Sequence, residues 1–240
     1  MSACEPHPGK SSPELWFVDL TACAPSLLQV ERQQPRLPAG DQFGGHNERM
    51  VAHIALRIIL ERHSGQVVRG LPFEVGTSGK PLLPESLPFF SLSHCRGFAL
   101  IAVDASGAIG VDLESTRSIR MPADRTRLLL AAASALAPSE KELGGTDQDL
   151  LQAWVRLEAF AKADGRGIGH LLTALGIVGA RTVDISASLR NVRDSWPPFT
   201  LYDLDVPAGH FAALAALGSA RSSRPSVRQF SELIAHLPAM

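Results

Sequence analysis

Two short acidic segments constrain the fold of this chain more than any other feature. The segment IGVDLE, which ends at Glu114, has the pattern of a β-strand, so Asp112 and Glu114 lie on one face of it. The segment WVRLEAFAK, which ends at Lys162, has the pattern of a helix, so Glu158 and Lys162 lie along one side. If the strand and the helix pack together, three carboxylates and one lysine converge. Mg²⁺ prefers such oxygen ligands, which indicates phosphoryl or pyrophosphate chemistry.

Composition narrows the classes of function. The 240 residues, 45% hydrophobic and 20% charged, can bury the core of one large domain or two small ones. The net charge of −1 gives no whole-surface attraction to nucleic acid or to a membrane, so we expect neither as a partner. The three cysteines show no C-x-x-C spacing, and no apolar run approaches the ~20 residues of a membrane span, so we expect a reduced, cytoplasmic protein.

Hydrophobic periodicity predicts a first half that combines short strands with one good helix. The predicted order is a loose lead-in at 1–13, a strand at 14–20, a loop with a short helix at 21–45, a helix at 47–63, a short strand at 73–75 and a hairpin of strands at 89–93 and 97–103. A turn at 104–107 is the predicted seam between two halves. We therefore expect an N-terminal subdomain over residues 14–106.

The second half is predicted to add two helices and four strands. In order these are a strand at 109–113, a helix at 122–137, the acidic helix capped by Asp147 or Asp149 and ended by Asp164-Gly165, and strands at 182–189, 199–206 and 210–217. This order predicts a C-terminal subdomain over 107–218, followed by a polar, Arg-rich tail over 219–240. Short strands with helices against them predict an α+β fold.

Two further segments precede the acidic ones: GKP around Lys80, and FSLSH, which ends at His94. Either alone is weak evidence, whereas GVDLE followed by W-x-x-x-E-A-x-x-K is much more specific. In this order, the four segments resemble the Sfp-type 4′-phosphopantetheinyl transferase family, over about residues 49–169. Enzymes of that family move 4′-phosphopantetheine from coenzyme A to a serine of an apo carrier protein.

The resemblance implies a fold and a set of binding residues. It implies two similar α/β subdomains related by a pseudo-twofold, with coenzyme A in the cleft between them. It implies that Mg²⁺, or alternatively Mn²⁺, is held by Asp112, Glu114 and Glu158 and bridges the pyrophosphate of coenzyme A. Lys162 would reach the phosphates. The residues expected to hold the 3′-phosphate end of the nucleotide are Lys80, Ser93, His94 and Arg49, with Arg57 as an alternative to Arg49.

The resemblance also implies a catalytic set of Glu158, Lys162 and Asp112. The serine hydroxyl needs a base, for which the hypothesis is Glu158 or a metal-bound water that Glu158 or Asp112 orients. Attack on the β-phosphorus would release 3′,5′-bisphosphoadenosine. The expected partners are coenzyme A and an apo acyl or peptidyl carrier protein. The double-length chain is similar to the family members that act as monomers, so a monomer is expected.

The sequence departs from the family pattern at Leu157, where the family usually has lysine, and more mildly at Arg166, where lysine is frequent. The neighbouring Arg156 points in another direction on the helical wheel, so it is no obvious substitute. The lost cation motivates a second hypothesis, a relative that binds coenzyme A or a carrier protein without turnover. A third hypothesis, from another class, is a metal-dependent nucleotide pyrophosphate hydrolase.

Taken one at a time, the same residues have purely structural explanations. Asp112 and Glu114 alone fit a solvated strand face, and Glu158 with Lys162 fits an exposed helical ion pair. His94 alone fits a turn or core histidine. Lysines beside turns and arginines on amphipathic helices are common as well. The functional interpretation therefore depends on the four segments occurring together.

Overall fold

The structure, a computed structural model, combines helices with largely antiparallel sheets and so confirms the predicted α+β class. It describes residues 12–33, 35, 48–68, 70–76, 80–83, 87–179, 184–218 and 224–234. The elements in these ranges are β1 (Glu14–Asp19), α1 (Leu20–Gln33), α2 (Glu48–Ser64), β2 (Glu74–Val75), β3 (Pro81–Leu82), β4 (Phe89–Cys95), β5 (Phe98–Asp104), β6 (Ile109–Ser115), α3 (Ala123–Leu136), α4 (Asp147–Asp164), α5 (Ile168–Ala174), α6 (Ile185–Ser195), β7 (Phe199–Asp203), β8 (His210–Leu217), β9 (Val227–Gln229) and α7 (Phe230–Ile234). None of these helices combines the length and apolarity needed to span a membrane.

The first sheet has the strand order β4-β5-β1-β9 and is covered on both faces. Side chains alternate along β1, so Trp16 and Val18 pack in one hydrophobic core with α1 and α2, while Leu15 and Phe17 face a different core. β4, β5 and β1 pair antiparallel, and β9 adds in parallel to β1. This arrangement leaves β4 at the edge of the sheet.

The second sheet has the order β6-β8-β7, with antiparallel pairing throughout. Val111 and Leu113 on one face of β6 pack in a core shared with Leu15 and Phe17 of the first sheet. The opposite face lies against α4, whose apolar residues form a third core together with α3. The described elements are therefore layered as helices, sheet, sheet and helices, and Asp112 faces the outer helix layer.

Helix α4, which carries the second acidic segment, has well-formed ends. Its N-cap is Thr146 rather than the predicted Asp147 or Asp149. Asp149 instead completes a capping box: its carboxylate accepts a hydrogen bond from the backbone N–H of Thr146, and the Thr146 hydroxyl oxygen accepts one from the backbone N–H of Asp149. The helix ends at Gly165 in the left-handed conformation (φ +83°), as the Asp164-Gly165 pair predicts.

Two of the predicted segments have a different secondary structure, and β3, α5, β9 and α7 are elements that the sequence analysis did not predict. Residues 185–195 form helix α6 where a strand over 182–189 is predicted; residues 182–183 lie outside the described part of the chain. Asp184 caps this helix by accepting hydrogen bonds from the N–H groups of Ser186 and Ala187. Residues 20–33 form the 14-residue helix α1 in place of a loop with a short helix, and Pro25 is accommodated within it.

The two ends of the chain meet in the first sheet. Strand β9, within the predicted tail, pairs with β1, and Phe230 and Leu233 of α7 are buried in the same core as α2. The predicted lead-in over residues 1–13 lies almost wholly outside the described residues.

Candidate active site

A cavity of about 280 Å³ lies between the two halves of the described structure. The first half contributes residues of β3 and β4, and the second half contributes α4 and the loop that follows it. Its charged lining residues are Lys80, Glu158 and Lys162. Two ammonium groups and one carboxylate at the wall of one cavity indicate a site for an anionic ligand.

Asp112 lies beside the cavity, in contact with its lining residue Lys162. It projects from β6 towards α4 and is only 5% exposed. Its Oδ1 accepts hydrogen bonds from Lys162 Nζ at 2.7 Å and from Ser93 Oγ at 2.8 Å. Its Oδ2 is buried and accepts no hydrogen bond. The contact between Asp112 and Lys162 joins the two acidic segments, as their sequence patterns predict.

Glu158 lies one helical turn before Lys162 and lines the cavity. Burial raises the pKa of its carboxyl group to about 7, and the negative charges of Asp112 and, more weakly, Glu114 add to the increase, whereas Lys162 opposes it. A carboxyl group with a pKa close to neutral can accept a proton near physiological pH.

Glu114 shares a strand face with Asp112, but its carboxylate is engaged elsewhere. It accepts hydrogen bonds from Arg117 Nε at 3.2 Å and from Arg117 Nη2 at 3.1 Å. Over the described ranges, no three side chains of His, Cys, Asp and Glu are arranged so that they could hold a metal ion.

Lys80 connects the two halves in a way that the sequence pattern did not predict. Its Nζ donates hydrogen bonds to the carbonyl oxygens of Ile109 at 2.9 Å and of Lys162 at 2.6 Å. These atoms belong to the start of β6 and the last turn of α4, where carbonyls lack helical partners. Burial, and then the nearby charge of Lys162, lower the pKa of the Lys80 ammonium to about 8.

The other residues expected to bind the 3′-phosphate do not line this cavity. Ser93 points towards β6, whereas His94, the next residue in the strand, is exposed. Arg49 is exposed in the first turn of α2. Arg57 is fully buried, where its guanidinium donates to two backbone carbonyls and stacks on an aromatic ring, so its contacts are structural.

Ser91 is a further polar link between the halves that the sequence reasoning missed. It accepts a hydrogen bond at 3.0 Å from the backbone N–H of Val111. Strand alternation places Ser91 and Ser93 on the same face of β4, and both are buried. The pattern Ser-x-Ser indicated two polar side chains on one face of a strand. The sequence around it does not show that β6 is the strand that these side chains contact.

Leu157 lies outside the candidate site. Its side chain is fully buried in the core between α4, α3 and the second sheet. Arg156 does not line the cavity either, and its guanidinium binds both carboxylate oxygens of Asp203 at 2.8 and 2.7 Å. Both side chains therefore contribute to the interior of the second half, Leu157 by packing and Arg156 by its ion pair with Asp203.

Comparisons with known proteins identify relatives that share one family name. No family model matches the chain. The chain is 34% identical over 168 residues to the provisionally named 4′-phosphopantetheinyl transferase slr0495 of Synechocystis sp., covering 65% of this chain and 66% of that protein. It is also 34% identical over 140 residues to the 4′-phosphopantetheinyl transferase HetI of Nostoc sp., covering 54% of this chain and 56% of that protein.

The alignments thus span about two thirds of one relative and a little over half of the other. Both relatives carry the same family name, which is also the family that the four sequence segments resemble. The structure brings two of those segments into contact through Lys162 and Asp112. On these grounds the chain belongs to the 4′-phosphopantetheinyl transferase family.

Proposed function

We propose that this chain transfers the 4′-phosphopantetheine group from coenzyme A to a serine of an apo acyl or peptidyl carrier protein. The observation that carries the proposal is the contact of Lys162 with the buried Asp112 beside a cavity that Glu158 and Lys80 also line. Family membership supports the reaction type, and the lysine pair supports an anionic substrate.

The proposed reaction breaks a phosphoanhydride bond and forms a phosphodiester bond. The serine oxygen forms a bond to the β-phosphorus of coenzyme A as the pyrophosphate bridge breaks, and 3′,5′-bisphosphoadenosine leaves. Glu158, with its pKa of about 7, accepts the serine proton directly or through a water molecule that it orients. Lys162 and Lys80 bind the pyrophosphate and offset the charge that develops on the leaving group.

We propose Mg²⁺, or alternatively Mn²⁺, as the cofactor, held by Asp112, Glu114 and Glu158. The buried Asp112 Oδ2 supports this, because a buried carboxylate oxygen without a partner is costly and a cation would satisfy it. Glu114 can join once its exposed ion pair with Arg117 opens, which costs ~1 kcal/mol or less. When bound, the cation would neutralise part of the charge on the pyrophosphate.

We further propose that the halves before and after residue 106 are two similar subdomains related by a pseudo-twofold. Each contributes three antiparallel strands to its sheet and a long helix that packs against them, α2 in the first half and α4 in the second. The edge strands β4 and β6 contact each other. The protein would act as a cytoplasmic monomer on coenzyme A and the carrier protein.

A single assay separates the proposed transfer from the two alternative functions. The protein is incubated with coenzyme A, Mg²⁺ and an apo carrier domain, and the carrier is weighed by mass spectrometry. A gain equal to phosphopantetheine supports transfer. Binding of coenzyme A without a gain indicates a non-catalytic relative, and breakdown of coenzyme A without a carrier indicates a pyrophosphate hydrolase.

The site assignment is tested in the same assay. Asp112→Ala and Glu158→Ala are expected to abolish the gain in mass, because each removes a carboxylate from the candidate site. Asp205→Ala, an exposed acid elsewhere in the second half, serves as the matched control and should transfer normally. Undiminished transfer by both site variants would show that these residues are not catalytic.

A further inference from the structure

The ammonium group of Lys80 combines two kinds of contact. Its Nζ donates hydrogen bonds to the carbonyl oxygens of Ile109 at 2.9 Å and of Lys162 at 2.6 Å, both in the second half. Its side chain also lines the cavity, together with Glu158 and Lys162. A lysine ammonium has three donors. Within the described part of the chain two of them are used on carbonyls, which leaves one for a ligand in the cavity.

The bond to the Lys162 carbonyl holds the part of α4 that lines the cavity. That carbonyl lies in the last turn, and the N–H of Arg166, which would continue the helix, bonds the carboxylate of Asp164 instead. A cation at this end is also favoured by the helix dipole, and Lys80 supplies it from the other half of the molecule. Lys162 is therefore held at two points, its backbone by Lys80 and its side chain by Asp112.

We propose that Lys80 is a positioning residue that couples the binding of a phosphate group in the cavity to the attachment of α4 to the first half. This rests on the proposed function, because it takes the phosphates of coenzyme A as the ligand of the remaining donor. Burial, and then the charge of Lys162, lower the pKa of the Lys80 ammonium to about 8, so an anion beside it stabilises the charged form and strengthens both carbonyl bonds. Lys162 and Glu158, one turn earlier on α4, are then fixed when the substrate is bound.

Hydrogen exchange measured by mass spectrometry follows the attachment of α4. The proteins are the wild type, Lys80→Met, Lys80→Arg and a control, Lys141→Met, which removes an 81% exposed lysine near the other end of α4. Without ligand, the amides of residues 159–166 should exchange about 10-fold faster or more in Lys80→Met, because hydrogen bonds from a charged donor are lost. Lys80→Arg keeps a cation with N–H donors and should restore most of the protection, and Lys141→Met should match the wild type. Unchanged exchange in Lys80→Met, or faster exchange spread evenly over the chain, would overturn the proposal.

The coupling is tested by adding coenzyme A to the same proteins, at concentrations that saturate each of them in calorimetry. The ligand should slow exchange at residues 159–166 in the wild type, and Lys80→Met should lose most of this slowing. A lysine with only a structural role would leave the effect of the ligand intact, and one that only binds phosphate would leave the ligand-free exchange intact. Either result contradicts the coupling. No binding of coenzyme A by the wild type would contradict the coupling and the proposed function together, whereas binding without carrier modification would contradict the proposed function alone.

Discussion

Leu157 shows how a departure from a family motif can be explained by its surroundings. The resemblance leads us to expect a lysine at this position, and its absence raises the question of a lost phosphate contact. The side chain of Leu157 is instead fully buried in an apolar core. The cations that do reach the cavity come from Lys80 and Lys162. The departure therefore affects the packing of α4 rather than the composition of the candidate site.

Restoring a lysine at this position should damage the protein rather than improve it. Leu157→Lys would bury an ammonium group without a partner, and we expect the free energy of unfolding to fall by about 3–5 kcal/mol. Leu157→Met, which nearly conserves volume, should cost less than about 1.5 kcal/mol. Urea denaturation of the three proteins measures both. A Leu157→Lys variant as stable as the wild type, with faster carrier modification, would place this position in the site after all.

At the residue scale, the sequence predicted the positions of the acidic residues better than the contacts of Ser93 and Lys80. Strand alternation and helical spacing, which are local rules, place Asp112 and Lys162 on particular faces of β6 and α4, and the packing of α4 against β6 then brings the two side chains together. The hydrogen bonds of Ser93 and Lys80 cross between halves that are joined only through long-range packing. No local pattern shows that the Lys80 ammonium will meet the backbone of α4, so its role could be recognised only in the folded structure.

The positions of Glu158 and Lys162 depend on how closely α4 approaches β6. Gly110, two residues before Asp112, lies directly beneath the helix. A Cβ atom built there would lie 2.1 Å from the carbonyl oxygen of Ala159 and 2.3 Å from the nitrogen of Ala163. These are backbone atoms of the helix, which cannot rotate away as a flexible side chain can. A glycine at this place in the GVDLE segment thus has a packing explanation.

Gly110→Ala is expected to push α4 away from the second sheet. Overpacking of this kind costs about 1–3 kcal/mol in the free energy of unfolding, and the displaced Glu158 and Lys162 should reduce carrier modification as well. The control is Gly169→Ala in α5, where a Cβ meets nothing within 4 Å and alanine is favoured in a helix. If thermal denaturation gave the two variants the same stability, the close approach of α4 would not be a constraint.

The elements that were predicted correctly are those with strong periodicity or clear turns. These elements are the α2 helix, the β4–β5 hairpin and the α4 helix, each of which has periodic apolar residues and a clear end or turn. For α6, the spacing of Ile185, Leu189 and Val192 and the capping Asp184 were helical signals that the strand prediction overlooked. Strand β9 has only three residues, and it becomes a strand through pairing with β1, which no short window of sequence can reveal.

For the whole molecule, the important feature is that polar contacts between the halves converge around the candidate site. The Lys80 ammonium, Ser91 and Ser93 all bond to β6 or α4 from the first half. The apolar core between the two sheets lies beside these contacts. Lys80 is the charged member of this set, and its depressed pKa makes the link between the halves dependent on pH.

The sign of that dependence follows from proton uptake. The pKa of Lys80 is about 8 in the folded protein against 10.5 for an unperturbed lysine, so between these values the unfolded chain holds a proton that the folded protein has released. The contribution of Lys80 to stability then rises with pH across this window and does not change with pH below or above it. The cost of burying the charged ammonium is present in full below pH 8 and is relieved as the pH increases.

Comparison of the wild type with Lys80→Met isolates this effect, because the other titrating groups are common to both proteins. The difference in the free energy of unfolding, wild type minus variant, should increase from about pH 8 to pH 10.5. Lys141→Met, which removes a lysine that is 81% exposed, should give a difference that stays nearly constant over the same range. Guanidinium denaturation at several pH values measures both. A difference for Lys80 that is flat, or that falls with pH, would mean that its ammonium is not desolvated between the halves.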